Sequence, residues 1–284
     1  MGVISPLRYP GGKRKLFKYI KNLIEYNNLS GCVYVEPYAG GAGLALSLLL
    51  KGVVNKLILN DIDRSIYAFW YSVLYHTDEL CYLIWQTPVN MDQWYIQKEI
   101  QKNKYAYDML SLGFSTFFLN RVNRSGIIKG GVIGGKNQSG NYKLDCRFNK
   151  KNLIDRIKKI ANYKNKIQLY NLDAIEFINT VVMNLPINSF IFLDPPYYKK
   201  GPELYENHYK HEDHVKLAEV ITTKIKQPWI VTYDNVEVIR DLYKAYKQNK
   251  FDLNYTANLK YTGKELMIYS DSIVPIDFKK IIHN

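Results

Sequence analysis

The order of patterns along these 284 residues predicts an α/β fold. Its sheet is mostly parallel, with an antiparallel strand pair near the C-terminus and a helical and hairpin lobe inserted midway. Three observations carry that expectation. Short apolar runs alternate with helical spacing before residue 64 and again after residue 162, as βαβ units require. Over 65–161 the alternation stops, so those residues read as an insert and 1–64 with 162–284 as the surrounding domain. The last β-prone runs, 251–259 and 265–270, flank Tyr261-Thr262-Gly263-Lys264, a connection too short for a crossover helix.

Arg8-Tyr9-Pro10-Gly11-Gly12-Lys13 is a polar, glycine-bearing loop. Behind it, Leu16, Tyr19, Ile20, Leu23 and Ile24 have helical spacing, and Gly31 ends that helix. Val33-Tyr34-Val35 is a short strand running into Glu36-Pro37-Tyr38-Ala39-Gly40-Gly41-Ala42-Gly43. An apolar helix over 44–50 follows, closed by Gly52, and a second strand over 56–60 ends at Asp61.

Within the insert, 66–85 reads as one long aromatic-rich helix and 94–112 as another. The apolar run 114–119 leads into Asn120-Arg121-Val122-Asn123-Arg124-Ser125-Gly126 and a glycine-rich segment. There the β-prone pairs Ile127-Ile128 and Val132-Ile133 predict an exposed hairpin and loops. A basic helix over 152–160 closes the lobe. Alternation then resumes with a strand at 167–170, Asp173 and a helix over 174–183. A strand at 190–193 enters Asp194-Pro195-Pro196-Tyr197, and a helix over 212–226, a strand at 229–233 and a helix over 236–243 follow.

Composition bounds the function. Apolar residues make up 47% and charged residues 23%, as in ordinary globular proteins, and no apolar run approaches membrane-spanning length. The N-terminus lacks the basic region and apolar stretch of a signal peptide, so a cytoplasmic location is expected. Cys32, Cys81 and Cys146 are scattered, odd in number and outside any C-x-x-C spacing, which gives no zinc site. The formal charge is +13, and residues 98–160 hold 14 Lys and Arg against 4 Asp and Glu. Most of the excess sits in the insert, which points to a polyanionic partner.

The chemistry-bearing stretch is Asp194-Pro195-Pro196-Tyr197. Two prolines end the strand ladder and fix φ, so a carboxylate, the Pro195 carbonyl and an aromatic ring are held together. Two acceptors beside a π surface suit a planar molecule with an exocyclic amino group; the competing use is a strand end in which Asp194 caps a helix. The glycine turn at 40–43 admits a dinucleotide or S-adenosylmethionine. Against a dinucleotide fingerprint, the third glycine position holds Leu46; against a P-loop, Gly12-Lys13 is followed by Arg14. Asp61 stands at the end of the second strand, where an acid holds a ribose, and Asp173 either accepts an adenine amino group or caps the next helix. His208, His211 and His214 lie at three-residue spacing, and a solvated first helical turn explains them without a metal.

Taken together, Pro10-Gly11-Gly12-Lys13, the run from Glu36 to Gly43, Asn60-Asp61, the basic insert and Asp194-Pro195-Pro196-Tyr197 resemble the Dam-type DNA N6-adenine methyltransferases of the alpha group. The resemblance spans essentially the whole chain. It implies a Rossmann-like class I methyltransferase sheet, S-adenosylmethionine as methyl donor with S-adenosylhomocysteine as product, and double-stranded DNA as substrate. It also admits a cognate restriction endonuclease as partner. By that resemblance Tyr9, Lys13, Pro37, Tyr38, Gly40, Gly41, Gly43, Asp61 and Asp173 hold the cofactor, and Asp194, Pro195, Pro196 and Tyr197 handle the adenine.

In the insert, Arg121, Arg124, Lys129 and Lys136, with Lys143 and Arg147, are candidate phosphate contacts. Asn120, Asn123, Asn137 and Gln138 are candidates to reach base edges. The family often reads N-R-x-x-F-N-G where this chain has Asn120-Arg121-Val122-Asn123-Arg124-Ser125-Gly126, so a GATC preference does not carry over. N4-cytosine methylation, RNA methylation and a catalytically silent DNA-binding module are the rival readings.

Overall fold

The structure is a computed structural model and describes residues 4–8, 13–199, 209–255 and 261–277. Seven strands form one sheet: β1 (Val33–Glu36), β2 (Lys56–Asn60), β3 (Ile167–Tyr170), β4 (Phe190–Leu193), β5 (Trp229–Asp234), β6 (Lys247–Tyr255) and β7 (Tyr261–Tyr269). Their order is β3-β2-β1-β4-β5-β7-β6. The chain divides into two compact units, residues 1–12 with 63–171 and residues 13–62 with 172–284.

In the second unit β1 runs parallel to β2 and β4, and β4 runs parallel to β5. β7 is antiparallel to both β5 and β6. All four residues of β4 are buried, and Tyr34 stacks on Phe192 with ring centroids 6.4 Å apart. Strands buried on both faces read as continuous apolar runs, which is why 190–193 stood out in the sequence. Helices α1 (Phe17–Tyr26) and α2 (Gly43–Leu50) flank β1 in sequence, and α2 buries Leu44 through Leu49. Residues 261–264, expected as a turn, lie inside β7 and pair with β6 from Tyr255↔Tyr261 onward, so the connection falls earlier. The adjacent strands β1 and β4 pair at Tyr34↔Phe190 and Val35↔Ile191, and strand order reverses between them. Ligands of open α/β sheets bind outside the carboxyl ends of the strands at such a switch point.

The other unit, apart from β3, is helical. The single helix expected over 66–85 is two, α3 (Arg64–Tyr75) and α4 (Thr77–Gln86), separated at His76, whose φ of −131° is not helical. The helix expected over 94–112 is also two. Asn90 caps α5 (Met91–Lys102), and the Asp108 side chain, accepting from the Ser111 N–H at 2.9 Å, starts α6 (Met109–Val122). Gly113 allows α3 and α6 to cross closely, since a Cβ there would meet Ser72 Oγ at 2.4 Å and the Ala68 carbonyl at 2.5 Å. Phe69 and Phe117 stack across that crossing at 6.0 Å, and Phe148 packs on Phe117 and Phe118.

The expected hairpin over 127–133 is reduced to one antiparallel bridge, Asn123↔Val132, because turns at Gly126, Gly130, Gly134 and Gly135 leave no room for a ladder. Helix α7 (Lys150–Ala161) closes the lobe. Helices α8 (Ala174–Thr180), α9 (His211–Lys224) and α10 (Glu237–Leu242) belong to the sheet-bearing unit. No helix among the described residues is long and apolar enough to cross a membrane.

Candidate active site

β4 delivers Asp194 to the carboxyl end of the sheet's central strands, and the neighbouring elements fix its carboxylate at both oxygens. Thr232 Oγ1, on β5, donates to Oδ1 at 2.7 Å, and Lys13 Nζ lies 2.9 Å from Oδ2. Lys13 also donates to the Tyr197 hydroxyl at 2.7 Å and stands 3.8 Å from Glu265 Oε2 on β7. Lys13 is 6% exposed, and a buried ammonium persists only when paired in this way. Asp234, also on β5, accepts the backbone N–H groups of Tyr198 and Lys199 at 2.9 Å each and so holds the chain just past the two prolines. Among the described residues no hydrogen bond reaches the Pro195 carbonyl. The turn thus presents a carboxylate, a carbonyl and the buried Tyr197 ring on one rigid segment.

Glu36, at the end of β1, is buried and accepts from the Tyr34 hydroxyl at 3.1 Å. Burial, reinforced by the charge of Asp194, pushes its carboxyl up to about 8. At neutral pH it holds a proton, which spares the cluster around Lys13 a further negative charge.

The glycine turn leaves β1 beside this cluster. Gly40 has φ of +46° and Ala42 +45°, and the buried Gly40 N–H donates to Asp61 Oδ2 at 2.8 Å. Asn60 is fully buried and ties three loops. Its amide donates to the Pro37 and Leu172 carbonyls at 3.0 Å, and its Oδ1 accepts from the Leu172 N–H. The carboxyl-end loops of β1 and β2 and the loop before α8 are therefore held together.

Asp173 serves as the N-cap of α8, its Oδ1 accepting from Ile175 and Glu176, while among the described residues Oδ2 accepts no hydrogen bond. Two carboxylates beside a left-handed glycine turn suit the ribose hydroxyls and adenine amino group of S-adenosylmethionine, so the residues present fit that cofactor. Pro37 and Gly41 are buried, Gly43 opens α2, and the Tyr38 hydroxyl meets that of Tyr209 at 2.9 Å. Tyr9 lies outside the described residues.

Several sequence expectations change here. Lys13, expected among the cofactor contacts, is also bonded to Asp194 and Tyr197. Thr232, Asp234 and Glu265 were not singled out for the site, because sequence gives a buried polar residue on an apolar strand no local signal. Their only mark is a polar side chain at the end of an otherwise apolar run.

In the helical unit two supposed base readers are structural. Asn120 is 1% exposed; its Oδ1 accepts the Arg8 N–H and its amide donates to the Arg8 carbonyl, both at 2.7 Å, and to the Gly126 carbonyl at 2.8 Å. Asn123 is fully buried between Trp94 Nε1 and the carbonyls of Ile127 and Ile128. Their donors and acceptors are consumed inside the fold, which removes them from base readout. Gln138 braces its own loop through Ile133, Gly135 and Leu144. Arg124, Lys129, Lys136, Asn137, Lys143 and Arg147 are exposed, and Arg121 is half-buried.

Among the histidines, His208 lies outside the described residues. His211 is exposed and pairs with the Tyr198 hydroxyl at 3.2 Å. His214 is buried against the Tyr233 hydroxyl, and desolvation lowers its proton affinity. The described residues contain no group of three or more side chains able to hold a metal ion.

Strand order, switch point, glycine turn and Asp-Pro-Pro-Tyr turn define an S-adenosylmethionine-dependent methyltransferase. The chain belongs to the D12 class N6 adenine-specific DNA methyltransferases, whose sequence pattern matches residues 9–257. It is 22% identical over 255 residues to the type II methyltransferase M.CviBI of Paramecium bursaria Chlorella virus NC1A, covering 89% of this chain and 91% of that one. It is 24% identical over 205 residues to the type II methyltransferase M.MjaIII of Methanocaldococcus jannaschii, covering 67% and 68%. Methyl transfer to the N6 of adenine in DNA is thus the activity of its family.

Proposed function

We propose that the sheet-bearing unit carries out this transfer on an adenine flipped from duplex DNA, with Asp194 and the Pro195 carbonyl accepting the hydrogens of the amino group. The adenine N6 is a poor nucleophile because its lone pair is delocalised into the ring. Two acceptors draw it towards sp3 geometry and localise that pair. The cofactor supplies an electrophilic sulfonium methyl. Attack of N6 on that methyl would leave an extra proton on the nitrogen, which Asp194 is placed to take through its hydrogen bond. Tyr197 replaces stacking lost when the base leaves the helix. Lys13 and Thr232 orient Asp194, while Asp61, Asp173 and the turn at Gly40 hold the cofactor.

The observation that carries this reading is the two-point anchoring of the Asp194 carboxylate. A preorganised acceptor needs no reorientation during the reaction. The basic residues of the insert supply phosphate affinity, and the protein works in the cytoplasm, alone or beside a cognate restriction endonuclease.

The test is Asp194→Ala, assayed by calorimetry for S-adenosylmethionine binding and by tritiated-methyl incorporation into unmethylated DNA. Binding is expected to persist and incorporation to vanish; retained turnover sinks the assignment. Nucleoside mass spectrometry of DNA methylated by the wild type separates N6-methyladenine from N4-methylcytosine.

A further inference from the structure

Four arginines gather in the helical unit. Arg121 donates from Nε to the Arg147 carbonyl at 2.8 Å, with Nη2 on the same oxygen, and from Nη1 to the Pro6 carbonyl at 3.3 Å. Arg8 donates from Nη1 to the Asn123 carbonyl at 3.0 Å and to that of Arg121 at 3.5 Å. Arg156 reaches the Ser5 carbonyl at 3.4 Å. Among the described residues no carboxylate lies within 4.0 Å of Arg8, Arg121 or Arg147. Burial and the charges of Arg8, Arg156 and Arg147 push the Arg121 guanidinium down to about 10, so these cations stand close enough to repel one another.

The fold holds Arg8 in this company. Asn120 clamps its backbone on both sides, and a Cβ on Gly126, whose φ is +78°, would meet the Arg8 carbonyl at 2.2 Å. Carbonyl bonds hold Arg121 through all three of its nitrogens and Arg8 through Nη1, which leaves Arg8 Nε and Nη2 and the exposed Arg147 for a ligand. Fixed guanidinium forks match the oxygens of a phosphate, and clustered cations without acids of their own call for an anion.

We propose that Arg8, Arg121 and Arg147 form a phosphate-binding pocket that takes one phosphodiester of the substrate DNA. The inference rests on the DNA-methylating reading above and adds a contact point to it. The pocket contacts backbone alone, so it sets affinity and register on the duplex without choosing its sequence.

The experiment measures binding of a labelled duplex by fluorescence anisotropy across a KCl series. It compares wild type, Arg147→Gln, Arg8→Gln/Arg147→Gln and the control Lys18→Gln, a surface lysine of the other unit. Arg147 and Lys18 are exposed, so their single variants test the pocket without disturbing a core. Losing one phosphate contact is expected to lower the slope of log Kobs against log salt by about 1, the double variant losing at least as much and Lys18→Gln nothing. Equal slopes for wild type and both arginine variants overturn the phosphodiester assignment. If inorganic phosphate raises the melting temperature of wild type but not of the double variant while the DNA slopes stay equal, the pocket serves free phosphate and the phosphodiester assignment falls. A wild type that binds no DNA at any salt defeats the DNA reading itself, a separate failure.

Discussion

Lys13 Nζ lies 2.9 Å from Oδ2 of Asp194 and 2.7 Å from the Tyr197 hydroxyl, so one buried cation joins the first and last residues of the Asp-Pro-Pro-Tyr turn. Methionine at position 13 removes that cation and leaves Asp194 and Glu265 facing each other. The expected result for Lys13→Met is a fall in single-turnover rate of about 100-fold. Stability should drop by about 3–5 kcal/mol. Calorimetry should find S-adenosylmethionine affinity changed by less than about threefold. A large loss of cofactor affinity with the saturated rate preserved would show that Lys13 serves the cofactor and not Asp194.

Thr232 offers a milder probe of the same carboxylate. Thr232→Val keeps the shape and deletes the 2.7 Å bond to Asp194 Oδ1. A loss of about one hydrogen bond in orientation predicts a turnover roughly tenfold slower with KM for the cofactor unchanged. Equal turnover in steady-state assays would show that the hydroxyl does not orient Asp194.

Glu36 makes stability depend on pH. Its carboxyl rises from an ordinary 4.5 to about 8 in the fold. Between those values the folded chain keeps a proton that the unfolded chain has lost, so stability is full below about 4.5 and falls as pH rises towards 8. The slope contributed is at most about 1.4 kcal/mol per pH unit. Urea denaturation of wild type and Glu36→Gln from pH 5 to 8 should show the difference between them narrowing or reversing in favour of the variant as pH rises. Parallel profiles would mean that Glu36 titrates normally.

Asn120 separates a structural role from base recognition. Asn120→Ala strips two bonds from the Arg8 backbone and one from the Gly126 carbonyl, an expected cost of about 2–4 kcal/mol in thermal or urea unfolding. The set of methylated sites, mapped by sequencing DNA from a host expressing the variant, should not change. A changed site would make Asn120 a reader after all.

The parallel strands and their turns were legible because their signals are local. Val33-Tyr34-Val35 and 190–193 are apolar runs each followed by an acid and a proline, and such endings are written in adjacent residues. Helix ends in the insert were less visible. His76 interrupts a pattern that is apolar on both sides, and residues 114–119 continue α6 although their bulk reads equally well as strand. The long-range parts of the site were invisible for a different reason. Lys13 is 181 residues from Asp194 in sequence, and Asn120 is 112 from Arg8. No periodicity announces such a pairing, so polar residues that looked ready for a ligand proved to be satisfied by backbone.

β5 has a consequence for redesign. Thr232 and Asp234 sit on that strand and grip the residues on either side of the two prolines, yet nothing in Trp229–Asp234 looks like a motif. The signature tetrapeptide is therefore half of a two-strand device. Grafted alone onto another sheet it would carry its prolines but not its aim, and a graft that brought a matching neighbour strand would carry both.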